Sequence, residues 1–341
     1  MHTIHNILHI SSYYVIILHS KGGGINLVKI YNTNIETNIT TEQKEIEKGC
    51  WINMVSPSEK EIKLICEKTK ISDDFIRYAL DYEEKARIDV EDDGTILFIV
   101  DVPILEKDNN FDVYTTMPVG LIVVRDDFFI TVSLKKNKII SSLENSINKK
   151  IITYKKSRFI FQFFYENASI FLKLLKQINK ETEVAENILQ KTLQNQELLK
   201  LLNLEKSLVY FTTSLKSNET VMEKTLKGRI IKLYEEDEDL LEDSIIENKQ
   251  AIEMSKIYSD ILNGTMDAYA SIISNNLNGV MKRLTSITII LAIPTLIASL
   301  WGMNVFVPFQ NNQWGFLILS IFMIITTAIT ILWLKKKDLL S

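Results

Sequence analysis

The sequence predicts an α+β domain, then a run of long helices, then two C-terminal membrane-spanning helices. Three observations carry this. Short apolar runs bounded by turn residues recur from Leu27 to about Leu134. No proline occurs between Pro118 and Pro294, and apolar residues there recur at helical spacing. Residues 284–301 and 315–334 hold no charged side chain, and each is close to the ~20 residues that cross a bilayer core.

The 341 residues are enough for a sizeable core and more than one structural unit. A formal net charge of −4 gives no reason to expect nucleic acid as a partner. The two cysteines, Cys50 and Cys66, lie far apart without metal-type spacing and read as ordinary residues of a reducing compartment.

Residues 1–26 stand apart. They hold all the histidines, His2, His5, His9 and His19, and an apolar run, Tyr13–Leu18, too short to span a bilayer. A shared helix face for His2, His5 and His9 is a weak metal signal. Lys21-Gly22-Gly23 is what a translated purine-rich ribosome-binding sequence would encode, so we expect a non-native leader or disordered extension, with the protein beginning near Leu27.

Residues 27–150 read as a cytoplasmic α/β domain. Val28–Tyr31 and Cys50–Val55 are expected strands. Ser56-Pro57-Ser58-Glu59 opens a helix that runs to about Lys68, and Ser72 caps another with Asp73 and Asp74 in its first turn. Arg87–Glu91, Thr95–Val102, Val113–Val124 and Phe128–Ser133 are expected strands of an antiparallel sheet, turning at Asp92-Asp93-Gly94 and Arg125-Asp126-Asp127. The domain has no glycine-rich phosphate loop, nucleophile elbow or histidine for acid–base work, so neither an enzyme nor an organic cofactor is expected. Asp89, Glu91, Asp92, Asp93 and Asp101 are numerous enough to hold a cation, although turn and surface roles account for most of them.

Residues 151–283 read as long cytoplasmic helices of 30 residues or more, with a break near Ser217–Thr220 or Gly228. The next helix should run from about Arg229 into the first span. It carries the most acidic run of the chain, Glu235 to Glu247, which includes Asp243. A solvated face explains most of this run, yet carboxylates held between subunits also bind Mg²⁺ or Ca²⁺.

The first span is residues 284–301, the connecting loop 302–314, the second span 315–334 and a basic tail 335–341. Lys282 and Arg283 precede the first span and Lys335, Lys336 and Lys337 follow the second, while the loop has neither Lys nor Arg. The positive-inside rule puts both termini in the cytoplasm. Steps of four and three residues along the first span and its approach give Asp267, Ser271, Ser274, Asn278, Met281, Thr285, Thr288, Ala292, Thr295 and Ser299. All but Met281 are small or polar. Such a stripe is costly in lipid unless it meets water or a polar partner, which is the signature of a pore.

Gly302-Met303-Asn304 at the end of the first of two C-terminal spans, with lysines after the second, resembles the CorA family of magnesium transporters. The resemblance runs from about Leu27 to the end and includes Thr295, Met281, Asn278 and Asp267 at fitting distances. It implies a funnel-shaped homopentamer whose first membrane helix lines the pore. Gly302, Met303 and Asn304 would form the outer selectivity filter, with Thr295, Ala292, Thr288, Asn278 and Asp267 along the pore below. Met281 and Leu284 would be the hydrophobic gate. Asp243 would be one carboxylate of an inter-subunit Mg²⁺ sensor, partnered by Asp89 of the next subunit, with Asp92 and Asp93 close behind. Mg²⁺ is then both substrate and regulatory ligand.

The loop departs from many members, which carry acids there; Val305 to Trp314 holds no charge. Co²⁺ or Ni²⁺ are expected as accompanying substrates. Zn²⁺ transport is the alternative within the same superfamily, but a stripe without Cys or His favours a hard cation. A membrane-tethered coiled-coil scaffold is the alternative outside it, and gives no reason for a polar stripe.

Overall fold

The computed structural model describes residues 27–108, 111–125, 127–145, 151–192, 195–228, 230–309, 313–337 and 339. The leader expected over residues 1–26, its histidines included, lies outside them. The chain divides into two compact units, one ending at Asn263 and one beginning at Gly264.

The first unit is built on a seven-stranded sheet. Its strands are β1 (Leu27–Thr33), β2 (Thr40–Gln43), β3 (Trp51–Val55), β4 (Arg87–Val90), β5 (Ile96–Asp108), β6 (Phe111–Val124) and β7 (Phe128–Ser133), in the order β2-β1-β3-β7-β6-β5-β4. Neighbours are antiparallel except β3 and β7, which run parallel. Helices α1 (Glu59–Thr69) and α2 (Asp73–Tyr78) follow β3. The cap of α1 sits two residues later than the expected start at Ser56: Ser58 and Glu61 form the capping box, and Glu59 is the first helical residue; on α2 the Ser72 hydroxyl accepts from the Asp74 N–H as expected.

The period-two alternation of the strands sorts the core into two layers. Leu97, Ile99, Ile122, Val124, Ile130 and Val132 pack on one face with Ile62 and Ile65 of α1 and Phe75 and Ile76 of α2. Phe98, Val100, Val119, Leu121, Val123 and Phe129 pack on the other face. Covering that second face are α3 (Lys138–Asn145), α4 (Lys156–Thr192), α5 (Asn195–Gly228) and the first turns of α6 (Glu235–Trp301). Covering both faces is why the central strands read as nearly continuous apolar runs.

Several expectations needed correction. Strand β2 is a polar edge strand, Thr-Thr-Glu-Gln, with no apolar alternation to mark it. Strand β5 continues past Val102 because its ladder with β6 carries on, with Pro103 opposite Thr116 and Ile104 opposite Thr115. Helix α3 was not foreseen; its Ile140 N–H donates to Asn137 Oδ1, and Glu144 accepts from Lys29, Tyr31 and Asn53 across the sheet. No break occurs at Ser217–Thr220, where α5 is continuous; it ends at Gly228. Helix α6 begins at Glu235 rather than Arg229, and its acidic first turn complements the positive end of the helix dipole.

Asp101 is taken away from the other acids. Its backbone is gripped between α4 and α5: Asn167 and Asn218 Nδ2 donate to Asp101 O at 2.9 and 2.8 Å, and its N–H donates to Asn218 Oδ1 at 2.9 Å. Burial pushes the carboxyl up to about 6, against a hydrogen bond from Ser214 that pulls it down.

The second unit comprises α6 from Gly264 onward and α7 (Gly315–Lys336). Both helices are long and apolar enough to cross a membrane. Their apolar side chains are not the core of this chain: Leu291, Leu296, Ile324 and Leu332 are 61–69% exposed. A helix that is apolar and yet unburied by its own protein needs lipid or further protein around it.

Candidate ion-pathway site

Helix α6 is unbroken from Asp267 to Trp301, so residues spaced by three and four share a face. Pro294 lies inside it. Asp267, Asn278, Met281, Leu284, Thr288, Ala292 and Thr295 are all exposed.

The threonines of the stripe share one geometry. Thr285 Oγ1 donates to Met281 O at 2.8 Å, Thr288 Oγ1 to Leu284 O at 2.9 Å and Thr295 Oγ1 to Leu291 O at 2.7 Å. Each hydroxyl commits its proton to its own helix, and what remains is an oxygen that only accepts. A hydrated cation turns water protons outward, so a row of acceptor oxygens is its natural counterpart. Met281 and Leu284, 52% and 57% exposed, are apolar side chains at the N-terminal end of that row.

Just past Leu284 along α6, Ser286 is buried within the second unit. Its Oγ lies 2.8 Å from Lys282 O and 2.6 Å from Leu339 O, which ties the C-terminal tail to α6. No pattern along the chain signals this contact.

At the other end, the Gly302 N–H donates to Ala298 O at 3.0 Å, and a Cβ at Gly302 would sit 3.3 Å from that same oxygen. Only glycine closes the helix this tightly without pushing on it. Met303 and Asn304 follow, exposed. The loop then folds back: Trp301 Nε1 donates to Pro308 O at 3.0 Å. A Cβ on Gly315 would collide with the Phe309 carbonyl oxygen, and Phe309 itself has φ 66°. The turn is thus specified by its backbone rather than by charge.

The expected regulatory carboxylates all lie in the first unit. Asp243 is exposed on α6. Asp89 on β4 is half-buried and accepts from Arg87 Nε at 2.7 Å. Asp93 accepts from the Thr95 N–H at 2.8 Å and pairs with Arg125 at 3.3 Å; hydrogen bonds from the Thr95 backbone and side chain, and to a lesser degree the guanidinium, hold its carboxyl below the usual range. Asp92 is exposed and forms no ion pair among the described residues. No hydrogen bond or ion pair among those residues joins Asp243 to Asp89, Asp92 or Asp93, and none of their His, Cys, Asp and Glu side chains gather in a group of three or more. The grip of Arg87 on Asp89 went unforeseen, although residues two apart on a strand share a face and the pair is visible as Arg-x-Asp.

The sequence matches the family described as CorA-like Mg²⁺ transporter protein over residues 47–336. The chain belongs to that family. It is 29% identical over 297 residues to the cobalt/magnesium transport protein CorA of Methanocaldococcus jannaschii, covering 84% of this chain and 90% of that one. It is 22% identical over 302 residues to the magnesium transport protein CorA of Helicobacter pylori, covering 84% and 89%. The complete structure of the CorA magnesium transporter from Methanocaldococcus jannaschii superposes with a TM-score of 0.76 at 26% identity, over 90% of this chain and 97% of that one. The order expected from sequence, an α/β domain, long helices and two apolar C-terminal helices, is therefore the family's own fold.

Proposed function

We propose that this chain is the subunit of a Mg²⁺ channel of the cell membrane that admits Mg²⁺ into the cytoplasm, with Co²⁺ or Ni²⁺ as accompanying substrates. The observation that carries the reading is the face of α6. Acceptor oxygens and small residues run its length, it is unburied by its own chain, and it ends on Asn304. The names of the relatives, for cobalt and magnesium transport, point the same way.

Five copies would gather these faces around one axis, with α7 outside and both termini in the cytoplasm, as the basic residues flanking the spans require. A ring of Asn304 amide oxygens holds hydrated Mg²⁺ through its waters. Mg²⁺ gives up water reluctantly, so neutral amides hold it without trapping it, where carboxylates would slow its exit. Thr295 and Thr288 offer further oxygen below, Met281 and Leu284 close the path by excluding water, and Asn278 and Asp267 receive the ion on the cytoplasmic side. Asp243 and a carboxylate of the neighbouring subunit, Asp89 before Asp92 or Asp93, would hold Mg²⁺ when it is plentiful inside and keep the collar shut. On loss of the ion, like charges repel and the collar loosens. Zn²⁺ transport is the second reading; the stripe offers oxygen rather than the nitrogen or sulfur Zn²⁺ favours.

The deciding experiment is flux into proteoliposomes read with a Mg²⁺-sensitive dye. Asn304→Ala should abolish or severely reduce selective uptake. Equal flux in variant and wild type would defeat the filter assignment.

A further inference from the structure

A cavity of about 940 Å³ lies in the first unit, lined by none of the residues of the stripe. It opens where the β4–β5 and β6–β7 turns meet the starts of α4 and α6. Its volume is that of a site for a nucleotide-sized molecule.

Five cationic side chains line it: Arg125, Lys155, Lys156, Arg158 and Lys232. Two are committed, Arg125 to Asp93 at 3.3 Å and Arg158 to Glu236 at 3.1 Å. Lys155 and Lys232 are exposed and form no ion pair among the described residues. Opposite charge is present as well: besides Asp93 and Glu236, the buried Asp237 lines the cavity 3.8 Å from Arg158, and Glu235, without an ion pair among the described residues, begins α6 there. The floor is apolar, with Ile96, Val123 and Ile231. Tyr234 offers an aromatic face that is 53% exposed, with Lys232 Nζ 5.0 Å from the ring centroid.

Exposed lysines, a carboxylate, an apolar floor and a half-exposed aromatic ring in one cavity match a ligand that carries polyanion, divalent cation and flat heterocycle together. We propose that this cavity binds a nucleoside polyphosphate as its Mg²⁺ complex. Lys155 and Lys232 take the phosphates, Glu235 accepts from the waters of the bound metal, and the base stacks on Tyr234. The inference does not rest on the transport reading, because binding is measured without flux.

The test uses purified full-length protein in detergent and equilibrium dialysis at clamped free Mg²⁺, with ATP, inorganic tripolyphosphate and adenosine as separate probes. ATP should bind saturably with a Kd below about 1 mM, and the other two at least tenfold more weakly. Lys155→Gln with Lys232→Gln should weaken ATP at least tenfold. Tyr234→Ala should weaken ATP several-fold and leave tripolyphosphate unchanged. All three side chains are exposed, and the melting temperature without ligand checks that each variant folds. Absence of saturable ATP binding overturns the proposal. So does equal binding of tripolyphosphate and ATP, which reduces the cavity to a polyanion patch, or unchanged binding in the double-lysine variant.

Discussion

Arg87 Nε donates to Asp89 Oδ2 at 2.7 Å, and the same guanidinium lies 4.8 Å above the Tyr78 ring. Glu84 completes the cluster as a second carboxylate partner of Arg87. The carboxylate proposed to meet a metal is therefore already occupied by a cation from its own strand, and a metal must displace that cation to bind.

Replacing the guanidinium should sharpen the proposed sensor. Arg87→Gln leaves Asp89 free, so half-inhibition by cytoplasmic Mg²⁺ should move to a several-fold lower concentration. Asp243→Ala should act in the opposite direction and leave closure incomplete. Both are read from dye flux in proteoliposomes at stepped internal Mg²⁺. If Arg87→Gln leaves the inhibition curve in place while Asp92→Ala moves it, the partner of Asp243 is Asp92.

The apolar collar predicts a leak. Met281→Ala shortens the side chain proposed to keep water out, and does so in every copy of the proposed pentamer. Basal flux at high internal Mg²⁺ should rise well above wild type, with external selectivity kept because Asn304 is untouched. A tighter channel would refute the gate.

Asp101 predicts a pH dependence of stability. Its carboxyl is pushed up to about 6 by burial, so the folded chain binds this proton more tightly than the unfolded chain does. The group therefore favours the fold at pH below the ordinary carboxylate value of ~3.9, and that contribution is lost as pH rises through about 6. At neutral pH the charged form is a burden on the order of 3 kcal/mol. Asp101→Asn should raise the melting temperature of the full chain by a few degrees at pH 7.5 and lose the advantage near pH 4. An equal gain at both pH values would show that charge is not the cause.

Gly315→Ala predicts damage at the extramembrane turn. The new Cβ would press on the Phe309 carbonyl oxygen, and backbone, unlike a flexible side chain, moves only by reshaping the turn. We expect a lower melting temperature and reduced uptake together. Gly264→Ala, inside α6 with open space around its Cβ, is the control that should lower neither.

Much of this was readable from the residues. Ser72 states a helix start because capping is a local event, and the start of α1 was legible to within two residues, with the cap at Ser58 instead of Ser56. The two spans are readable because lipid tolerates no charge, and the stripe because a helix period places every third and fourth residue together. Strand β2 and helix α3 were missed because pairing with β1 and the contacts of Glu144 hold them, rather than any pattern of their own.

The sequence by itself determined the order of units, the two membrane helices and the polar face ending at Gly302-Met303-Asn304. Each follows from spacing along one chain and the solvent it must face. Only the tertiary structure decided how those groups are engaged. It spends the threonine protons on α6, sets Arg87 against Asp89, buries Asp101 beneath α4 and α5, and draws Lys155, Lys232 and Tyr234 around one cavity. The reason is physical: a residue's type fixes what bonds it can make, while the distant chain folded beside it fixes which of them are already made.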